Sequence, residues 1–142
     1  MITGAGMVTS LGTDWTSNAA GFRIGRRAFR PVTLFDVSRQ RVKTAGEVEL
    51  PSRVPQTLLS PKQFSRLDRA AKLLLFAASE AWAQSGWAEG GQVPIVLGTT
   101  SGGMSLGEAY YRQAISRPAD HRRQPVRVMH YQIGRASCRE RV

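Results

Sequence analysis

The residue types and spacings that could support chemistry gather at one glycine-rich junction. Ile95-Val96-Leu97-Gly98 runs into Thr99-Thr100-Ser101 and then Gly102-Gly103-Met104-Ser105-Leu106-Gly107. The apolar, β-branched run from Gln92 to Thr99 reads as a buried strand, and a helical pattern follows from about Ser105. Glycines at such a junction let backbone approach a ligand or another chain closely. In α/β enzymes, chemistry sits at the carboxyl ends of strands. A second glycine loop opens the chain at Ile2-Thr3-Gly4-Ala5-Gly6-Met7-Val8-Thr9-Ser10-Leu11-Gly12. Gly4 and Gly6 fit a dinucleotide fingerprint, but Thr9 occupies the third glycine position. Arginines, not an acid, stand about 20 residues further on, which disfavours a nicotinamide site.

The remaining chemistry is sparse. Ser10 and Ser101 lie beside glycines without forming a nucleophile elbow. His121 and His130 are the only histidines, and neither has a second ligand at metal spacing, so no zinc is expected. Cys138 is the only cysteine, which excludes an intrachain disulfide. No nucleophile–base pair emerges, so no catalytic residue, metal or cofactor is assigned.

Charge is the strongest compositional signal. Against 10 acidic residues stand 20 Lys and Arg, a formal net charge of +10. Arg23, Arg26, Arg27, Arg30, Arg39, Arg41 and Lys43 cluster against Asp36 alone, and Arg117, Arg122, Arg123 and Arg127 form a second group. Such clusters favour an acidic partner, either nucleic acid or an acidic protein. A solvated basic face explains each cluster equally well.

The 142 residues, 42% hydrophobic and 21% charged, suit one globular domain. No apolar stretch is long enough for a bilayer, and no basic residue precedes an apolar N-terminal segment. A cytoplasmic protein with no membrane partner is therefore expected. Ile133-Gly134-Arg135-Ala136-Ser137-Cys138-Arg139-Glu140-Arg141-Val142 resembles, at every position, the conceptual translation of a common sequencing adapter. Residues 133–142 are accordingly set apart as a non-native tail.

Several elements must position these residues. Ile2 to Gly12 reads as a stub of strand followed by a glycine-rich loop. Thr13 or Asp14 can cap a helix that runs to about Ile24 and stops at Gly25, with Trp15, Ala19 and Phe22 on its core face. Residues 32–50 read as extended and irregular, anchored by Val42, Ala45 and Val48. The clearest helix opens with a capping box at Ser60-Pro61-Lys62-Gln63. It repeats Phe64, Leu67, Ala71, Leu74, Ala78 and Trp82 at helical spacing and ends at Gly86. Its alanines keep it slim, which suits burial. Lys62, Arg66, Arg69 and Lys72 crowd its first half, where the macrodipole disfavours cations. A final helix spans Ser105 to Ile115, with Leu106, Ala109, Tyr110 and Ala114 inward, and a basic loop covers 117–132.

These segments carry a family resemblance. The Ile2–Gly12 loop, Phe35-Asp36-Val37-Ser38, Ser60-Pro61-Lys62 with Arg66-Leu67-Asp68-Arg69, Gln84-Ser85-Gly86 and Gly98–Met104 resemble, in order, segments of the β-ketoacyl-acyl-carrier-protein synthases, synthase II-like branch. The five ordered matches cover nearly all of residues 1–132. The resemblance implies an α/β class, as part of the N-terminal half of a thiolase-like layered fold, incomplete here and homodimeric in a full-length parent. It also implies decarboxylative condensation of acyl and malonyl groups, in fatty acid or polyketide-type synthesis. The family's acyl-accepting cysteine follows the segment matched here and its two histidines come later still, so neither Cys138, His121 nor His130 inherits a role. Lys62 and Arg66 match positions that dock the acidic acyl carrier protein. Ser101, Gly102 and Met104 match a turn near the acyl pocket and dimer interface. A nucleic-acid-binding module and a nicotinamide oxidoreductase are the competing readings. The first is weakened because only Phe22 and Phe29 stand near the first basic cluster.

Overall fold

The computed structural model describes residues 1–88, 93–99, 102 and 104–119. Four helices and one short ribbon make up its regular structure. They are α1 (Trp15–Arg23), β1 (Arg30–Pro31), β2 (Thr44–Ala45), α2 (Pro61–Arg66), α3 (Arg69–Ser85) and α4 (Met104–Ser116).

The 17-residue α3 is the scaffold. Its stripe Ala77, Glu80, Ala81 and Gln84 follows helical spacing and receives the N-terminal segment. A Cβ added to Gly4 would fall on the Ala81 carbonyl, and one added to Gly6 on the Ala77 carbonyl. Only glycine permits that backbone-to-backbone approach. The polar members of the stripe hold the same segment. Ala5 N–H donates to Gln84 Oε1 at 3.1 Å, and Met7 N–H donates to Glu80 Oε2 at 3.0 Å. Trp15 N–H, at the first position of α1, donates to Glu80 Oε1 at 2.6 Å. The strand stub expected at the start of this segment is not paired as a strand; the Ala5 and Met7 N–H groups are satisfied by helix side chains instead.

The loop into α1 closes on itself. Thr9 and Gly12 exchange backbone hydrogen bonds of 2.9 and 3.2 Å, and Asp14 caps α1 by accepting from Ser17 N–H at 2.7 Å. The buried residues of α1 are Asn18 and Gly21. Trp15 and Phe22 remain 44% and 62% exposed, which corrects the expected Trp15–Ala19–Phe22 core face. The cause is polar. Asn18 Nδ2 donates to the carbonyls of Met7, Gly12 and Asp14 at 3.2, 2.9 and 2.7 Å, and Thr9 Oγ1 donates to Asn18 Oδ1. That network turns the Asn18 edge inward.

The ribbon pairs Arg30 with Ala45 and Pro31 with Thr44, antiparallel, and Val32 N–H continues it to Lys43 O at 3.0 Å. Val42 is 70% exposed and does not anchor it. Its support is Glu47, whose carboxylate accepts from Thr33 N–H, Thr33 Oγ1 and Leu34 N–H at 2.7, 2.8 and 2.9 Å.

The helix expected from Ser60 to Gly86 is two helices. The capping box is present, with Pro61 at its start, and Gly86 ends α3 at φ 68°. Between them Leu67 and Asp68 are extended, with ψ of 146° and 169°. Asp68 accepts from Ala71 N–H at 2.7 Å, a local bond that competes with helix continuation. Phe64 returns α2 onto α3 through an edge-to-face contact with Phe76, centroids 6.3 Å apart.

In α4, Gly107 is buried, Tyr110 and Ala114 are half-buried, and Ala109 is exposed, contrary to expectation. The run ahead of α4 is also corrected. Residues 93–99 are not a strand, and Ile95, Val96 and Leu97 are 86%, 100% and 54% exposed. A strand requires a neighbour for its backbone groups, and β1–β2 is the only strand pair among the described residues. No hydrophobic residue among them reaches full burial.

Candidate functional site

Lys62 and Arg66 are placed by α2. The capping box fixes where the helix starts and Phe64 fixes how it sits, so positions 62 and 66, four apart, share its outer face. Both are exposed, and neither forms an ion pair among the described residues. The break at Leu67–Asp68 changes the expected electrostatics. Arg66 stands in the last turn of α2, where the macrodipole favours a cation, while Lys62 stands in the first, where it does not.

The other two cations of that stretch are engaged. Arg69 Nη2 donates to Val48 O. Lys72 Nζ reaches Ser65 O at 3.4 Å and lies 5.6 Å from the Phe64 ring centroid, a cation–π geometry. The four cations expected to act together therefore divide: two tie the fold, and two face outward.

Of the glycine-rich turn, Gly102 and Met104 are described; Ser101 lies outside the described residues. Gly102 N–H donates to Thr99 Oγ1 at 2.9 Å, so Thr99 shapes the turn through its hydroxyl. Met104 opens α4 and is 50% exposed. His121, His130, Cys138 and residues 133–142 also lie outside the described residues. Among those described, no three His, Cys, Asp or Glu residues group as metal ligands.

The first glycine loop is taken up by packing and by its own hydrogen bonds. Gly4 and Gly6 spend their missing side chains on α3. Thr9 uses its hydroxyl inside the loop, accepting from Leu11 N–H at 3.0 Å while bonding Asn18. Sequence reasoning missed Asn18, Glu80 and Gln84. Each left a signal: Asn18 is a poor helix former in mid-helix, and Glu80 and Gln84 recur on one side of α3 with Ala77 and Ala81.

A cleft of about 610 Å³ opens between the chain before α2 and the end of α3, lined by Leu58, Ser79, Trp82, Ala83, Gly86 and Trp87. Trp82 and Trp87 meet edge to face there, centroids 6.0 Å apart. Trp82 is thus a cleft wall as well as a stripe residue.

Two carboxyls are shifted. Leu34 N–H, and after it the Thr33 groups, hold Glu47 below its ordinary value against the opposing effect of burial. Ser38 N–H and its hydroxyl do the same for Asp36. Both are structural acceptors, not acids poised for proton transfer.

The class of protein follows from one family match. Residues 1–139 match the family described as Beta-ketoacyl synthase, N-terminal domain. The chain belongs to the β-ketoacyl synthase family. It is also similar to "Granaticin polyketide putative beta-ketoacyl synthase 1" of Streptomyces violaceoruber, 30% identical over 102 residues, 72% of this chain and 24% of that protein. The chain therefore spans about a quarter of that relative's length. The match favours neither a nucleic-acid-binding module nor a nicotinamide oxidoreductase.

Proposed function

We propose that this chain is the amino-terminal part of a 3-oxoacyl-[acyl-carrier-protein] synthase with the thiolase-like layered fold, working as a homodimer in the cytoplasm. The reaction is an acyl transfer with carbon–carbon bond formation. Loss of CO₂ from a malonyl thioester frees an electron pair, which attacks the carbonyl carbon of an acyl-cysteine. The cysteine thiolate leaves, and the 3-oxoacyl product stays on the carrier. In this reading residues 1–132 are family sequence and 133–142 a non-native tail, although the family match runs on to residue 139. The nucleophilic cysteine and the two histidines belong to the parent beyond residue 132, so the 142-residue chain has no condensation activity of its own.

The role assigned to this chain's own residues is docking. The observation that carries it is the pair Lys62 and Arg66, exposed and without ion pairs among the described residues, on a helix whose start and seating are fixed. An acidic acyl carrier protein complements that face, and its charge accelerates encounter more than it deepens binding. Ser101, Gly102 and Met104 are assigned to the wall of the acyl pocket near the dimer interface.

The test is a Lys62→Glu, Arg66→Glu variant of the full-length parent, assayed with carrier-bound and with small thioester substrates. The KM for the carrier should rise about tenfold or more, with kcat unchanged on the small thioester. Unchanged KM for the carrier would reject the docking role.

A further inference from the structure

The turn and returning arm that join β1 to β2 carry three cations that form no ion pair among the described residues. The connection turns at Val37–Gln40, where Gln40 N–H donates to Val37 O at 2.9 Å, and Arg39 sits on that turn. Arg41 and Lys43 follow on the returning arm, just ahead of β2. All three are exposed, and none forms an ion pair among the described residues.

The nearby acids are each committed elsewhere. Asp36 accepts from Ser38 N–H and Ser38 Oγ at 2.9 and 3.0 Å. Glu47 is taken up by Thr33 and Leu34. Glu49 pairs with Arg30 at 2.7 Å. The uncompensated charge is therefore built into the local hydrogen bonding.

Apolar surface accompanies it. On the outgoing side Phe29, Leu34 and Phe35 are 74%, 56% and 67% exposed. Exposed apolar residues beside arginine mark protein interfaces, whereas a phosphate backbone would neutralise the cations and leave the leucine wet. We infer that the hairpin spanning residues 29–45 is a docking surface for an acidic protein segment that also presents apolar side chains, separate from the Lys62–Arg66 face.

Fluorescence anisotropy on the full chain tests it with three probes: an amphipathic Glu/Leu helical peptide, a Glu/Gly peptide of equal charge, and a single-stranded oligonucleotide of equal charge. The amphipathic peptide should bind tightest. Its affinity should fall about tenfold in an Arg39→Glu, Arg41→Glu, Lys43→Glu variant and hold in a Lys62→Glu, Arg66→Glu variant. Arg41→Gln with Lys43→Gln, which keeps the side chains long and polar, reads the same surface if the reversals disturb the ribbon. Equal binding of both peptides, tighter binding of the oligonucleotide, or affinity that follows positions 62 and 66 would each overturn the assignment. The last result would still leave the carrier-docking role of Lys62 and Arg66 standing.

Discussion

Asn18, in α1, ties the helix to the N-terminal loop. It is fully buried and bonded to three carbonyls and one hydroxyl. Asn18→Leu matches its size but removes the donor to Met7 O and the side-chain bonds to Gly12 O and Asp14 O, and should cost about 1–3 kcal/mol, read by denaturant titration. Glu47 gives a pH test. Its folded pKa is lowered, chiefly by the Leu34 N–H, so its stabilising effect is complete above the ordinary glutamate value. That contribution fades as pH falls through the lowered folded value. Glu47→Gln should lower the melting temperature at neutral pH, with the gap to the parent closing as the solution is acidified. A gap independent of pH would assign the loss to packing. Neither residue was legible in advance, because each acts through bonds to backbone outside its own element. A sequence shows side-chain periodicity, not which carbonyl will lack a donor.

Helix boundaries were far more legible, since their causes are local. Ser60, Pro61 and Gln63 announce the start of α2, and Gly86, at φ 68°, announces the end of α3. What the pattern concealed was the break between them. The apolar repeat Phe64, Leu67, Ala71 runs through it without a change of period, and Asp68 reads equally well as an exposed mid-helix acid or as an N-cap. Asp68→Ala should cost about 1 kcal/mol and should raise helical ellipticity if α2 and α3 then fuse. A loss of ellipticity instead would show that Asp68 nucleates α3. The strand expected at 92–99 is not formed over its described residues, 93–99, for the opposite reason: its apolar residues are right, but a strand is a property of two segments, and no partner segment lies among the described residues.

At the scale of the whole molecule, the described residues bury no hydrophobic side chain fully, and the chain spans about a quarter of its relative. Folding free energy comes mainly from apolar burial, so the chain alone should melt over a broad range and bind a dye specific for exposed apolar surface. A sharp, reversible transition would contradict this. Exposed Ile95, Val96 and Leu97 are the segment to watch, because an unpaired apolar run templates association. Val96→Lys should reduce light scattering on concentration without altering helical content.

The meeting of Gly4 and Gly6 with α3 also limits which sequence histories are open. The obstacle to a larger residue there is the carbonyls of Ala77 and Ala81, main-chain atoms present whatever residue occupies 77 or 81. A clash with a side chain can be relieved by shrinking that side chain; a clash with backbone cannot. In a suppressor screen, Gly6→Ala should therefore yield revertants at position 6 and none at 77, whereas Asn18 variants, which fail through missing bonds, remain open to rescue from the residues around them.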